Sequence, residues 1–186
     1  MNYNGTVEYK AEIGNAAFRG CTSLTDVSLS ENVTSIGSMA FSGCTSLETL
    51  NLPERVESLG RCLIEKTAIS SITIPKNVKY STNVSSSYGV LVNVNTLKTV
   101  TFEEGMEAIP SCIMASGSYT SYIDKIILPS QLKKIGSSAF YNCGKITQME
   151  VPKTITEIGG SAFENCTGLK SFRMNYNGTV EYKAEI

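Results

Sequence analysis

The residues with the greatest chemical potential in this 186-residue chain are its six cysteines, and histidine is absent. Without histidine, neither a Ser–His nor a Cys–His nucleophile can be assembled. No C-x-x-C pair occurs, so the sequence gives no support for a zinc site. The cysteines recur at two regular spacings. One series contains Cys21, Cys44, Cys143 and Cys166, and the other contains Cys62 and Cys112.

Two interpretations of the cysteines are open. Neighbours such as Cys21 and Cys44 could form a disulfide if folding brings their Cα atoms close enough. Alternatively, the thiols form a column of small buried side chains, which is the interpretation that their regular spacing favours. The carboxylate pair Glu103 and Glu104 is typical of a solvated turn after a strand. We therefore expect no catalytic residue, no metal and no cofactor, and we predict that the chain is not an enzyme.

The overall charge is nearly balanced, at −1. This value gives no electrostatic reason to expect binding to nucleic acid or to an anionic membrane. No run of 18 apolar residues occurs, so no membrane-spanning helix and no membrane insertion are expected. The first residues lack a charged segment followed by an apolar run, so we expect no signal peptide in this chain.

The cysteine spacing belongs to a 23-residue repeat, seen clearly in residues 36–58, IGSMAFSGCTSLETLNLPERVES. The apolar or small residues of this unit are Ala40, Phe41, Cys44, Leu47, Leu50, Leu52 and Val56. The same pattern recurs in the units that begin at Ile13, Ile135 and Ile158. A fixed period of this length indicates a solenoid, in which each unit buries its apolar face only against its neighbours.

Each unit has a path that can be predicted, numbered here from the apolar residue that begins it (position 1). Leu50 and Leu52 are expected on one face of a short strand, which Pro53 ends because proline has no N–H to donate. A second short extended segment leads to the first residue of the following repeat. Gly37 is expected to permit a tight bend. Residues 38–44 are too short for an independent helix, so we predict a helical or 3₁₀ turn.

We expect one solenoid domain, residues 1–186, built from seven repeats of 22–28 residues. The repeats begin at Ile13, Ile36, Leu59, Ser81, Ile109, Ile135 and Ile158. The third repeat is degenerate and one residue short, and the fourth and fifth carry inserts.

The two ends of the chain have the same sequence, because residues 174–186 duplicate residues 1–13, MNYNGTVEYKAEI. Ile186 therefore stands where Ile13 stands, one cycle of seven repeats later. Either a longer parent protein repeats this block or the ends were made identical. Both origins make head-to-tail self-association physically plausible. Head-to-tail contacts join two different surfaces, and they give open filaments when they do not close into a ring. Asn177-Gly178 predicts a small hairpin over residues 174–182.

The pattern I-G-x-x-A-F-x-x-C-x-x-L-x-x-V/L-x-L-P occurs in residues 36–53, in residues 135–152 and in most of residues 158–174. It resembles the BspA-like (Treponema pallidum type) leucine-rich repeat family, and the resemblance covers essentially the whole chain. The resemblance implies a curved, right-handed leucine-rich-repeat solenoid. It also implies a bacterial or protist surface protein that adheres to host matrix proteins or to other cells. It provides no catalytic motif.

One candidate binding surface is the row of side chains at positions 14 and 16, which point away from the predicted core. These residues are Asp26, Ser28, Thr49, Asn51, Ser71, Thr73, Thr99, Thr101, Lys125, Ile127, Gln148, Glu150, Ser171 and Arg173. The row is mainly hydroxyl and amide, and Lys125, Glu150 and Arg173 add charge in the last three repeats. It is either a ligand-binding face, as in many solenoids, or an ordinary solvated face of a sheet.

The second candidate surface is the pair of inserts, residues 80–95 and 115–122. They lie in adjacent repeats at corresponding places, so we expect them to meet on one flank. Their tyrosines are Tyr80, Tyr88, Tyr119 and Tyr122, set among serine, glycine and asparagine. This mixture is typical of binding loops. The alternative is a pair of neutral insertions, since long surface loops cost little free energy.

The sequence thus predicts a non-catalytic module, extracellular or on a cell surface, that binds a protein ligand such as a host matrix or cell-surface protein. Binding would use the solenoid face and the Tyr/Ser-rich inserts. The alternative is a structural spacer or stalk segment of a longer tandem array, with no ligand of its own. A binding module should lose its ligand when Tyr88 and Tyr119 become serine, whereas a spacer has no ligand to lose.

Overall fold

The computed structural model describes residues 10–117 and 121–174, which form a parallel β-solenoid of about seven turns. The predicted solenoid is therefore confirmed. The strands of the described part are β1 (Ala11–Ile13), β2 (Val33–Ile36), β3 (Ser58–Gly60), β4 (Ser71–Ile74), β5 (Tyr80–Thr82), β6 (Thr99–Phe102), β7 (Ala108–Ile109), β8 (Lys125–Ile127), β9 (Lys134–Ile135), β10 (Gln148–Val151), β11 (Glu157–Ile158) and β12 (Ser171–Met174).

The strands form two series of parallel sheets along the coil. One series joins the starts of successive repeats, in the orders β1-β2-β3-β5 and β11-β9-β7. The other series runs in the orders β4-β6-β8 and β10-β12. Paired residues lie between 22 and 28 positions apart in the sequence. Each sheet therefore joins neighbouring turns of the coil, as stacked repeats require.

Residues that share position 1 of the repeat pair with one another across the first series of sheets. The paired residues are, in order, Ile13, Ile36, Leu59 and Ser81, and then Ile109, Ile135 and Ile158. The inserts therefore leave this register intact on either side of them.

The strand predicted at Leu50 and Leu52 is not formed, although Leu50 is buried and Leu52 is half-buried. The corresponding pair in the third repeat, Ile72 and Ile74, does form a strand, β4, and this strand pairs onward with β6. The third repeat is one residue short. The sheet on the β4-β6-β8 side begins with its strand, β4.

The helical or 3₁₀ turn predicted for residues 38–44 is wrong, since the described residues contain neither type of helix. Position 4 has a positive φ in the six repeats where this turn is regular. These residues are Ala16, Met39, Cys62, Cys112, Ser138 and Ser161, with φ between 53° and 57°. A left-handed residue ends a right-handed helical path. The freed N–H groups donate to the next repeat, as Met39 does to the carbonyl oxygen of Arg61 at 2.8 Å.

The glycine at position 2 serves close contact between turns rather than the bend predicted at Gly37, whose φ is not positive. A Cβ atom on Gly37 would lie 2.6 Å from the backbone nitrogen of Asn15, in the preceding repeat. A Cβ atom on Gly159 would lie 2.5 Å from the nitrogen of Ser137. Real Cβ atoms do not approach backbone this closely, so the stacking distance of the coil requires glycine here.

The core is a column of side chains from successive repeats. The ring of Phe18 stacks on that of Phe41 with centroids 5.3 Å apart, and Phe140 stacks on Phe163 at 5.1 Å. Phe41 and Phe140 are fully buried, which confirms position 6 as a core position. The rings of Phe18 and Phe163 belong to the first and last repeats and are only partly covered.

Some predictions fall outside the described residues. These are the hairpin over residues 174–182, the position of Tyr119, and most of the two identical segments. In the ranges 10–117 and 121–174, no helix has the length and apolar character needed to cross a bilayer.

Candidate functional site

The polar row on the β4-β6-β8 side lines an open groove of about 640 Å³, whose lining residues come from the first four repeats. Its floor is formed by the side chains of Thr49, Asn51, Ser71, Thr73, Thr99 and Thr101. Ser71 pairs with Thr99, and Thr73 pairs with Thr101, so the hydroxyl groups stand in two columns. Adjacent strands of a sheet lie about 4.8 Å apart, which sets the spacing within each column.

Alternation along each strand explains why these hydroxyl groups face outward. Ile72 and Ile74 of β4 are buried, and so are Val100 and Phe102 of β6. Successive side chains of a strand point to opposite faces, so burying the apolar residues directs the intervening threonine and serine side chains to solvent. The predicted outward orientation of these positions is confirmed.

Carboxylates from three separate repeats line the same groove, namely those of Glu31, Glu54 and Glu103. The ammonium nitrogen of Lys76 lies 2.5 Å from Glu54 Oε1, and its backbone N–H donates to Glu103 Oε2 at 2.9 Å. The hydrogen bond to Glu54 raises the pKa of Lys76. This acidic rim is not among the surfaces predicted from the sequence. Its only sequence signal is that an acidic residue follows the apolar pair in several repeats.

The neighbouring carboxylates Glu103 and Glu104 serve two different turns. Glu103 accepts the bond from Lys76, whereas Glu104 Oε2 accepts hydrogen bonds from the backbone N–H and the hydroxyl of Ser130, both at 3.0 Å. Each carboxylate thus caps a turn of an adjacent repeat. The interpretation of this pair as a solvated turn is consistent with this geometry.

The charged candidates Lys125, Glu150 and Arg173 are exposed on β8, β10 and β12. Glu150 and Arg173 are register partners across the β10-β12 pair, which places opposite charges side by side. Lys125 pairs with Thr99 at the edge of the groove floor. The three residues therefore continue the strand face from the groove towards the last repeat.

The described tyrosines contact different parts of the coil and do not form one cluster. Tyr80 is 60% exposed on β5 and lines a second groove with charged residues such as Lys10, Glu57 and Arg55. The ring of Tyr88 lies 5.7 Å from the guanidinium carbon of Arg61.

The third tyrosine of the candidate set that can be placed relative to its neighbours is Tyr122. Its ring lies 5.3 Å from the ammonium nitrogen of Lys98, which immediately precedes β6. Tyr122 is therefore near the start of the strand face and away from the Arg61 side chain. Tyr119 is outside the described residues.

The two inserts do meet on one flank, as predicted. Tyr88 and Ser116 form an antiparallel bridge, and the N–H of Gly89 donates to the carbonyl oxygen of Ala115 at 2.9 Å. A Cβ atom on Gly117 would lie 2.6 Å from the Cα of Ser87, so glycine is needed where the two segments cross. The contact leaves the Tyr88 side chain 42% exposed.

All six cysteines are free thiols, and the predicted burial holds for four of them. Cys44, Cys62, Cys143 and Cys166 are buried, whereas Cys112 is half-buried and Cys21 is exposed. The thiol of Cys44 donates to the carbonyl oxygen of Phe18 at 3.1 Å, and that of Cys166 donates to Phe140 at 3.1 Å. Cys143 makes the same contact with Met114 at 3.7 Å. These thiols therefore connect position 9 of one repeat to position 6 of the repeat before it.

Burial has a chemical consequence for these thiols. It raises the pKa of Cys143 to about 12 and that of Cys62 to about 11. A thiolate is the form that binds metals and attacks electrophiles, so such cysteines are chemically inert at neutral pH. The residues that the structure describes contain no group of three or more Cys, Asp or Glu side chains placed to hold a metal ion.

The fold is that of a leucine-rich-repeat solenoid, a class whose members are typically non-catalytic. A family model described as the BspA type leucine-rich repeat region, in six copies, matches residues 11–121 and 93–184. The chain belongs to this family.

Two solved structures illustrate the likeness. A leucine-rich repeat protein of T. pallidum is 26% identical, with a TM-score of 0.51, and the match covers 88% of this chain and 64% of that one. A leucine-rich repeat protein of Bacteroides ovatus is 22% identical, with a TM-score of 0.49 over 89% of this chain and 53% of that one. The chain thus spans between half and two-thirds of these relatives. No curated protein matches it.

Proposed function

We propose that this chain is a non-catalytic protein-binding module, displayed on a cell surface or in the extracellular space, that holds a protein ligand against its strand face. The observation that supports this function best is the groove that is lined by residues of four repeats. Uncharged hydroxyl and amide groups form its floor, and carboxylates stand at its rim. Family membership supports the surface location, because such repeats are commonly surface-associated.

The chemistry of the groove favours a ligand segment that is extended and basic. Hydroxyl groups both donate and accept hydrogen bonds, so the columns of Thr73 and Thr101 can satisfy the N–H and C=O groups of an extended backbone. The carboxylates of Glu31 and Glu103 suit lysine or arginine side chains at the edge of such a segment. Glu54 is already paired with the ammonium group of Lys76. Lys125, Glu150 and Arg173 would extend the contact towards the last repeat.

The flank formed by the inserts is the second part of the proposed binding surface. Tyr88 is held there by the bridge to Ser116 and by the guanidinium of Arg61, and its ring remains accessible. A rigid, partly exposed tyrosine provides contact area at a low cost in conformational entropy. Tyr80, Tyr119 and Tyr122 remain proposed contacts, with Tyr80 and Tyr122 contacting other parts of the coil.

The test compares one substitution in the groove with a matched one on the other series of sheets. Purified collagen, laminin and fibronectin are immobilised separately, and binding of the wild type is measured by surface plasmon resonance. Thr73→Arg places a bulky cation on the groove floor and should weaken binding at least tenfold. Thr156→Arg makes the same change at an exposed residue beside β11 and should leave binding unchanged.

Two outcomes would contradict the proposal. One is that the wild type binds none of the immobilised proteins. The other is equal affinity of the wild type and Thr73→Arg. Circular dichroism spectra must coincide for all three proteins, so that a loss of binding is not a loss of folding.

The spacer or stalk function remains the second candidate, and one observation favours it. The identity of residues 1–13 and 174–186 allows the repeat pattern to continue without interruption from one block to the next. A spacer would show no specific ligand in the binding experiment.

A further inference from the structure

The rim of the groove follows one position of the repeat, which lies two residues after the last apolar side chain on this side of the coil. In the first four repeats that apolar residue is, in order, Leu29, Leu52, Ile74 and Phe102. The position itself holds Glu31, Glu54, Lys76 and Glu104, which we call the rim row. The third repeat therefore places a lysine in a row of carboxylates.

The side chain of Lys76 contacts the repeats on both sides of it. Its ammonium nitrogen lies 2.5 Å from Glu54 Oε1 in the second repeat, and its backbone N–H donates to Glu103 Oε2 in the fourth. Its methylene stem packs on the turn of the fourth repeat, since a Cβ atom on Gly105 would lie 3.4 Å from Lys76 Cδ. The lysine thus lies along the rim rather than extending into solvent.

The carboxylates of the neighbouring repeats hold the charge of this lysine. The hydrogen bond and the charge of Glu54 raise the pKa of Lys76, and the charge of Glu103 adds to this effect. The rim therefore already binds a cation, and that cation belongs to its own chain. A lysine or arginine of a bound segment would meet the same carboxylates.

The ion pair between Lys76 and Glu54 can be exchanged for another, because both of its members are exposed. The side chain of Lys76 is 38% exposed, and that of Glu54 is 56% exposed. Water screens such pairs, so each contributes little free energy. The long, flexible stem of lysine also lets its ammonium group leave one carboxylate without any change in the backbone.

We propose that Lys76 is an internal competitor that sets the affinity of the groove for basic segments. Its ammonium group occupies Glu54, and a lysine or arginine of the ligand must displace it to use that carboxylate. This inference rests on the proposed function, because it concerns the same groove and the same class of ligand. Lys76 acts here as a specificity-determining residue.

The competition selects ligands that carry several basic residues. Exchanging the ammonium group of Lys76 for one ligand cation leaves the number of ion pairs at Glu54 unchanged. A segment with one cation therefore gains little from this carboxylate. A segment with several cations also reaches Glu31 and Glu103, which line the same groove. The kind of partner that fits is an extended segment with a basic side chain at repeated positions.

The experiment removes the competing charge and compares it with a matched lysine elsewhere. Lys76→Met keeps an unbranched stem against Gly105 and removes the ammonium group. Lys79→Met makes the same change in net charge on the other series of sheets, where the ammonium nitrogen lies 3.7 Å from Glu57 Oε1. The probe is a fluorescent synthetic peptide with blocked ends that alternates threonine and lysine. Its affinity for each full-length protein is measured by fluorescence anisotropy.

The two lysine variants should behave differently. Lys76→Met should bind the peptide about two- to fivefold more tightly than the wild type, because it uncovers Glu54 and removes a like charge. Lys79→Met should bind as the wild type does. The gain should vanish in about 1 M salt, where the Debye length is about 3 Å. A peptide that alternates threonine and glutamate should bind none of the three proteins.

Nuclear magnetic resonance of the lysine side chains measures the displacement directly. The signal of Lys76 is assigned by its absence from Lys76→Met, and that of Lys79 by its absence from Lys79→Met. Saturating the wild type with the threonine–lysine peptide should move the Lys76 signal towards that of an exposed lysine. The Lys79 signal should stay where it is.

Four results would overturn the inference. Equal affinity of the wild type and Lys76→Met, or an unchanged Lys76 signal on binding, would exclude competition and leave the function of the groove intact. Equal tightening by both lysine variants would assign the effect to net charge. Binding of the peptide by neither the wild type nor Lys76→Met would also overturn the basic ligand proposed for the groove. Circular dichroism checks folding, and Lys76→Gln replaces Lys76→Met if that variant is misfolded.

Discussion

Replacing Phe41 by alanine should reveal how much stability the column of stacked rings provides. Phe41 is fully buried, and its ring is almost parallel to that of Phe18, with an interplanar angle of 4°. Truncating a buried phenylalanine removes its transfer free energy and leaves a cavity, together costing about 3–5 kcal/mol. The side chain also lies between two repeats, so its loss weakens the contact on both sides of the second repeat.

Phe18→Ala is the matched control, because it removes the same side chain from the same column at the exposed edge. Phe18 is 39% exposed, so about three-fifths of its surface is covered. Fully burying a phenylalanine side chain contributes about 1.5–3 kcal/mol, so the transfer term at Phe18 is about 1–2 kcal/mol. Solvent can enter the space left at an edge, and no cavity term is added. Phe18→Ala should therefore cost less than half as much as Phe41→Ala.

Equilibrium unfolding in urea measures both losses, followed by far-ultraviolet circular dichroism and by tyrosine fluorescence, since the chain has no tryptophan. Both variants are measured at the same low protein concentration. A cost below about 1 kcal/mol for Phe41→Ala would refute the assignment of position 6 to the core. Equal costs for the two variants would contradict the difference in burial between Phe18 and Phe41.

Three further predictions follow from single positions. Gly60→Ala should destabilise the fold by about 2 kcal/mol or more, because its Cβ would overlap the backbone of the preceding repeat, whereas Gly14→Ala meets nothing and should be nearly neutral by the same urea assay. Ser161 has a φ of 57°, so its Cβ already bears the cost of the left-handed conformation, about 1–2 kcal/mol. Ser161→Gly should therefore be neutral or stabilising, and Ser161→Val should be destabilising because a β-branched side chain fits this conformation worst; thermal unfolding of both variants tests this. Burial raises the pKa of Cys143 from 9.0 to about 12, so the folded chain holds this proton more tightly than the unfolded chain. The resulting stability is complete below pH 9.0 and is lost as the pH rises towards 12. The melting temperature of Cys143→Ala should therefore fall less steeply than that of the wild type over this range, and parallel curves would contradict the assignment.

The period and the core positions of the repeat could be predicted from the sequence, because apolar residues such as Phe41 and Cys44 recur at a constant spacing. The turn that follows position 1 could not. Position 4 holds alanine, methionine, cysteine or serine, and none of these residue types favours a positive φ. This conformation goes together with backbone hydrogen bonds to a neighbouring repeat, such as that from Met39 to Arg61, and such bonds exist only in the stack.

The role of glycine at position 2 shows the same limit. A sequence cannot distinguish a glycine that is needed for a bend from one that is needed for close contact, and Gly37 is of the second kind. The distance to the backbone of Asn15 decides between them, and that distance depends on the stacking of two repeats.

The sequence by itself determined that this protein is a solenoid, which residues face its core, and that its ends have the same sequence. Only the tertiary structure decided which outward side chains share a surface. Glu31, Glu54 and Glu103 come from separate repeats and meet at one groove, whereas Tyr80 and Tyr88 are near in sequence and contact different parts of the coil. The physical reason is that a residue's neighbours in a solenoid are set by its place around the turn, and the lengths of the inserts change that place.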